Sequence, residues 1–266
     1  MRSFLLFRLH GPLASWGEIA VGEVRPTALQ PTRSALLGLL GAALGLRRGD
    51  DAAFSSLGAA LRFAVFVERA GVPARDYHTV QVAAPRRGRT PLTRADQLRE
   101  RRHDLGTILS YRDYRCDALY DVVAWHEGGD PPAFPLERLE AALKRPVFTL
   151  YLGRKSCPLA LPLGARVVEA ENALAALAAH PAPALKIPGD RYRAFPAQLP
   201  GAPLGLFWEG DPGLGPDAAQ SRTIRRDDPV SSSRRIFRTR TEGFQALDHP
   251  SSPEDSDAAE PDSPVP

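Results

Sequence analysis

The hydrophobic positions of this chain change period several times, and each change marks an element. Residues 3–11, SFLLFRLHG, are apolar enough for a buried strand, closed by Gly11-Pro12. A loop with Trp16 and Arg25-Pro26 follows. Leu36, Leu37, Leu40 and Leu44 then recur at helical spacing, and Thr32 or Ser34 is placed to cap that helix. Gly38, Gly41 and Gly45 each cost the helix about 1 kcal/mol relative to Ala, which predicts close packing of this helix on a sheet. LRFAVFVER (61–69) alternates as a second strand and DALYDVVAW (117–125) reads as a third. PLERLEAALKRP (135–146) reads as a short amphipathic helix and VFTLYLG (147–153) as a fourth strand. Residues 70–116 carry no strong period.

The resulting order, β-α-β-insert-β-α-β, is that of an α+β, ferredoxin-like domain of the RNA-recognition type. The insert, about 45 residues long, stands where a hairpin is normal. Further on, GARVVEAENALAALAA predicts a strand edge and a helix, and PLGLFWEG a strand, while residues 181–216 are rich in Pro and Gly and read as loop. The expected organisation is a domain over 1–153 with a basic thumb inserted at 80–110, then a smaller β-rich C-terminal part over 154–248. An acidic, proline-rich tail over 249–266 has the composition of a disordered segment.

The formal charge of +3 hides a division: residues 251–266 hold five acids and no base, leaving 34 bases against 26 acids before them. All but three of those bases are Arg, whose planar fork pairs with phosphate and stacks on bases. An Ala-, Gly- and Pro-rich chain from a GC-rich genome acquires Arg in any case, so position has to carry the argument. Residues 86–102 hold seven Arg with a net +5, and residues 222–240 again hold seven with a net +5. One such run is as often a solvated face as a binding surface; two on a body of this size point to a polyanionic partner. No apolar run approaches a membrane span, the N-terminus lacks the features of a signal peptide, and Cys116 and Cys157 make neither a disulfide framework nor a metal quartet. The expectation is a cytoplasmic protein with no membrane contact, metal or cofactor.

The chain has no Gly-rich phosphate loop ending in Lys-Ser/Thr, no His pair at i,i+4 with Glu, and no nucleophile elbow. A metal-free ribonuclease needs only a base, an acid and cations. Tyr77 and His78 with nearby arginines could supply them; simple packing or RNA contact by the same pair is the plainer reading. RPTALQPTRSALLG places Arg25, Thr27, Thr32, Arg33 and Ser34 at or before a helix N-terminus, where free N–H groups and the helix dipole favour an anion. YLGRKSCPL (151–159) falls at the end of the fourth strand. There Gly153 lets a backbone approach, Arg154, Lys155 and Ser156 donate to phosphate, and Tyr151 offers a stacking face. Cys157, before Pro158, reads as a packed thiol, although basic neighbours could lower its pKa.

RPTALQPTRSALLGLLGAALGL, RDYHTV, YRDYRCDALYDVVAW and YLGRKSCPLALPL, with the opening MRSFLLFRLHGPLASWG, together resemble the CasD family. RRDDPVSSSRRIFRTR resembles that family's C-terminal Arg-rich pattern more loosely. CasD is the subunit of the type I-E CRISPR surveillance complex, Cascade, that holds the 5′ handle of the guide RNA. The resemblance implies a ferredoxin-like domain with a thumb, one copy per complex, at the foot of the CasC backbone beside the large CasA subunit. Target DNA is then met only through the complex, and cutting belongs to another subunit, CasE. The implied RNA contacts are Arg25, Thr32, Arg33, Ser34, Tyr77, His78, Tyr151, Gly153, Arg154, Lys155 and Ser156, with Arg86, Arg87, Arg89, Arg101 and Arg102 of the thumb. A sister branch, in type I-C systems, cleaves precursor guide RNA with a Tyr-Lys-His set, but no Lys neighbours a His here. The reading is a non-catalytic RNA-binding subunit, with a metal-independent endoribonuclease as the alternative and a pure protein scaffold as the third possibility.

Overall fold

Strand β1 (Arg2–His10) is buried on both faces: Leu5, Phe7 and Leu9 point into one apolar core, Phe4 and Leu6 into another. That is why its sequence reads as an unbroken apolar run instead of an alternation. The computed structural model describes residues 1–83, 93–99, 105–127, 133–179, 203–231, 234 and 236–247. Arg86, Arg87, Arg89, Arg101 and Arg102 of the thumb and the acidic tail lie outside the described residues.

After β1 come β2 (Leu13–Ala14), β3 (Val24–Arg25), α1 (Arg33–Leu44), α2 (Asp51–Ala60), β4 (Leu61–Arg69), β5 (Val72–Ala83) and α3 (Arg94–Leu98). The chain continues through β6 (Leu105–Cys116), β7 (Leu119–His126), α4 (Leu136–Lys144), β8 (Arg166–Ala170), α5 (Ala173–Ala179), β9 (Gly205–Trp208), β10 (Ser221–Ser231) and β11 (Ile236–Gln245). The fold is thus mixed α/β, mostly strands with few helices. Seven strands form one antiparallel sheet in the order β10-β11-β9-β4-β7-β1-β8. Leu36, Leu37 and Leu40 of α1 and Leu139 and Leu143 of α4 fill the core on one face; Ala173, Ala176 and Leu177 of α5 cover the other. Burying each of those leucines stabilises the fold by about 2 kcal/mol.

Two expectations from the sequence need correction. Only Gly41 of the three helix glycines makes a close approach within α1, and it meets Phe54 of α2, not the sheet: a Cβ there would lie 2.4 Å from the ring. Gly45 instead ends α1 in the left-handed region (φ 82°), and nothing lies near Gly38. Residues 147–153 are not a strand. The Val147 and Phe148 N–H groups donate to the carbonyls of Ala43 and Ala42 at 3.0 and 3.1 Å, satisfying the orphan C-terminal carbonyls of α1 instead of a ladder. The strand beside β1 is β8, some fifteen residues later.

The insert without a period is a two-stranded ribbon. β5 and β6 pair from Val72↔Cys116 to Ala83↔Leu105, a length of roughly 40 Å at 3.4 Å per residue. No β5 residue is buried, so neither face imposed an alternation on the sequence. The ribbon is anchored at its base, where β2 pairs antiparallel and β3 parallel with β6.

Candidate nucleic-acid interface

β1 ends, and the ribbon begins and ends, at the same end of the strands of the large sheet. There residues 151–158 close a tight loop: Tyr151 bridges Pro158, the Leu152 N–H donates to the Cys157 carbonyl at 2.8 Å, and the Cys157 N–H to the Arg154 carbonyl at 2.9 Å. Leu152 and Cys157 are fully buried beneath, which turns Lys155 and Ser156 outward. Burial pushes the Cys157 thiol up, so it is the packed thiol its sequence context suggested. Gly153 has φ +84°, and a Cβ there would stand 1.9 Å from the Ser15 carbonyl oxygen, so no other residue fits. Ser15 fastens the assembly from both sides. Its N–H donates to the Leu152 carbonyl at 3.0 Å and its Oγ to the Asp113 carbonyl of β6 at 3.0 Å.

Arg154 lies on top of this joint. Its guanidinium sits 4.8 Å over the Tyr114 ring and Nη2 donates to the Arg25 carbonyl at 3.1 Å, while Nη1 is screened from solvent without a hydrogen-bond partner. Leaving a buried donor unpaired costs about 1–3 kcal/mol, so the position is suited to an acceptor brought from outside. Lys155 beside it has no partner among the described residues. Arg25 is exposed, with Nη1 donating to the Gly22 and Val24 carbonyls at 2.5 and 3.1 Å. Tyr151 is 41% exposed at the rim.

Along the ribbon, Tyr77 pairs directly with Tyr111 of β6, ring centroids 5.3 Å apart, and is half exposed. His78, the next residue, points to the opposite face. Its Nε2 lies 2.5 Å from Asp76 Oδ2 on the same strand. Tyr77 and His78 thus stand on opposite faces of the ribbon. On the Tyr77 face, Arg75 grips Asp113 through two bonds of 2.7 and 3.0 Å, which hold the Asp113 carboxyl below its ordinary range. Tyr111 and Tyr114 were legible only as part of YRDYRC; the ribbon register is what assigns each to a face.

The N-terminus of α1 departs from expectation. Arg33 is only 4% exposed. Its Nε donates to Asp228 Oδ1 at 2.8 Å, Nη1 to the Leu61 carbonyl at 3.1 Å and to Glu209, and Nη2 to the Gly58 carbonyl. The Arg33 N–H donates to Asp227 Oδ2 at 2.9 Å, so the anion at this helix N-terminus comes from the chain itself. Thr32 is buried and caps the helix, accepting the Ala35 N–H at 3.3 Å. Arg33 is thus enclosed by the chain itself, while the Thr32 hydroxyl lies 3.2 Å from that of Ser34. Ser34 reaches the surface, where it helps line a groove of ≈ 920 Å³ with Ile19, Ile224, Arg226 and Phe237.

The same network absorbs much of the second Arg run. Arg240 bonds Asp227 at 2.7 and 2.9 Å and Glu242 at 2.7 Å, Arg238 bonds Asp228 at 2.5 Å, and Gln30 donates to Glu242 at 2.7 Å. Arg225 lies 3.9 Å from both Glu18 and Glu242. Burial pushes the Glu209 carboxyl up even against the Arg33 and Arg240 charges. Asp227, Asp228, Glu209 and Glu242, which sequence reasoning passed over, dock the β10–β11 hairpin on α1. Among the described residues, no helix is long and apolar enough to cross a membrane, and no group of three or more His, Cys, Asp or Glu is placed to hold a metal.

The chain is a CRISPR-associated protein and belongs to the Cas5 family: the family model described as CRISPR-associated protein (Cas_Cas5) matches residues 4–242. Its particular likeness is to the CRISPR system Cascade subunit CasD of Escherichia coli (strain K12), 41% identical over 172 residues that cover 61% of this chain and 70% of CasD. A chain of a solved CRISPR RNA-guided surveillance complex is similar at a TM-score of 0.61 and 27% identity, over 92% of this chain and 90% of that one. A crystal structure of a Cas protein is similar at a TM-score of 0.53 and 28% identity, over 92% and 95%.

Proposed function

We propose that this chain is a non-catalytic subunit of an RNA-guided surveillance complex of the type I-E kind, and that it grips the 5′ handle of the guide RNA at the foot of the ribbon. The observation that carries this reading is Arg154: a guanidinium positioned by Tyr114 and the Arg25 carbonyl, with one screened donor left unpaired. Lys155 and Ser156 at the same loop tip add donors, and charge-assisted bonds to phosphate are about twice as strong as neutral ones. Tyr77 and Tyr151 offer exposed rings on which bases stack, and the thumb arginines add diffuse attraction. His78 faces the other side of the ribbon and serves RNA that passes behind it. The order β8-β1-β7-β4, with α1 and α4 on one face, supports the ferredoxin-like reading, which β9, β11 and β10 extend beyond β4. The likeness to CasD supports a place at the end of a CasC backbone, beside CasA, in the cytoplasm.

The test is the Arg154→Ala/Lys155→Ala protein assembled into its complex, followed by filter binding of guide RNA across a salt series. Each lost phosphate contact on a single strand removes about 0.7 from the log–log salt slope, so the double variant is expected to lose about one unit and to bind more weakly at every salt concentration. Unchanged slope and affinity would overturn the proposal.

A further inference from the structure

The groove of ≈ 920 Å³ beside the start of α1 is walled by the loop after β2 and by the β10–β11 hairpin. Ile19, Ile224, Ile236 and Phe237 line it; all three isoleucines are exposed, Ile224 the most at 75%. Water around so many aliphatic side chains is unfavourable, and exposed apolar surface gathered in one place marks contact with another molecule.

The groove is preformed, because its walls are fixed by the clasp beneath them. Asp227 accepts the Arg33 N–H at 2.9 Å and is gripped by Arg240 at 2.7 and 2.9 Å, which holds the hairpin on α1. The β10–β11 register shifts between Arg225 and Asp228. That bulge lets adjacent residues serve different ends: Asp227 is buried in the clasp, while Arg226 stays exposed on the groove wall. Arg226 Nε reaches the Phe237 carbonyl at a long 3.4 Å and meets no carboxylate among the described residues.

Charge decides what fits there. An RNA strand brings a phosphate with every nucleotide and needs cations to match. Of the charged side chains in the lining, Arg225 lies 3.9 Å from both Glu18 and Glu242, and Asp227 is consumed by the clasp. What remains is one free cation, Arg226, and a half-exposed carboxylate, Glu18, in a mostly apolar lining. The Thr32 and Ser34 hydroxyls, 3.2 Å apart, add hydrogen-bonding groups suited to a peptide backbone. This composition matches the centre of a protein–protein interface, where apolar side chains and Arg are enriched and other charges are few. It does not match a phosphate track.

We propose that the groove docks another protein subunit of the surveillance complex, through a segment that buries two or three apolar side chains and sets a carboxylate against Arg226. A preformed groove avoids the ordering cost that a flexible surface pays on association. The inference rests on the chain being a subunit of a multi-subunit complex, and not on the RNA grip at the ribbon foot.

The test puts the photocrosslinking residue p-benzoylphenylalanine in place of Ile224 in the full chain, assembles the complex with guide RNA, and irradiates it. Mass spectrometry is expected to find a link from that position to an apolar, acidic segment of a different protein subunit. A link to the guide RNA, a link within this chain only, or none would overturn the proposal. In parallel, I224D/I236D is expected to be retained in the purified complex about tenfold less than the parent, with an unchanged thermal melt because both side chains are exposed. R226E, which disturbs no buried group, is expected to lower retention in the same direction. Parent-level retention of both variants would overturn the docking role. A parent chain that enters no complex would instead sink the subunit reading itself, and this inference with it.

Discussion

The Asp227 carboxylate accepts the backbone N–H of Arg33 at 2.9 Å, joining residues 194 positions apart in the chain. Arg33 returns the contact through its side chain to Asp228, so two adjacent acids of β10 clasp the first residue of α1. This clasp, rather than any ligand, fills the helix N-terminus.

Removing Arg33 leaves Asp228 and Glu209 buried without that counter-charge. Arg33→Ala is therefore expected to lower unfolding free energy by about 3 kcal/mol or more. Guide-RNA affinity per folded molecule should stay within twofold of the parent, as measured by denaturant titration beside filter binding. A stable variant with weak RNA binding would return Arg33 to the interface.

Gly153→Ala introduces a Cβ into the Ser15 carbonyl and forces a non-glycine residue to φ +84°. A loss of about 2 kcal/mol or more in stability is expected, together with poor RNA retention. Gly22 (φ +65°) has open space around it, so Gly22→Ala should show the backbone strain alone, about 1 kcal/mol. Thermal melts of the two variants compare clash with strain.

Tyr77 and His78 are neighbours in sequence but on opposite faces of the ribbon. Tyr77→Ala should weaken guide-RNA binding by about 1–3 kcal/mol if a base stacks there. His78→Ala should not produce or abolish any cleavage of precursor guide RNA by the isolated protein. Defined cleavage products that vanish in either variant would revive the endoribonuclease.

Acid stability should depend on Asp228. Burial pushes its carboxyl up, but hydrogen bonds from Arg238 and Arg33 outweigh burial and hold it below its ordinary value of 3.8. A depressed folded-state pKa stabilises the protein above the unfolded value, and that stability is lost as pH falls through the folded one. Asp228→Asn removes this contribution, so its unfolding free energy should fall less steeply than the parent's below about pH 4. Glu209 works in the opposite sense: its raised pKa favours the fold at low pH and less so as pH rises. Urea titrations at a series of acidic pH values read both slopes.

The local physics of this chain was legible in its residues. Both-face burial of β1 produces its long apolar run, Thr32 announces the start of α1, and helical spacing marks α4. The motif YLGRKSCPL names the loop that carries Arg154 and Lys155. Partner choice was not legible, because it is set between segments far apart in sequence. Arg33 and Arg154 are both arginines beside a turn, yet one is enclosed by β9, β10 and α2 and the other is held at the surface with a donor unpaired. A ribbon without a buried face leaves no period to detect, so β5 and β6 emerge only when their backbones pair. Residues 147–153 look like a strand by composition, but the open carbonyls ending α1 compete for their N–H groups and win. Propensity and period act over a few residues; whether a charge meets an acid of the same chain or waits for RNA depends on which strand the tertiary fold lays beside it.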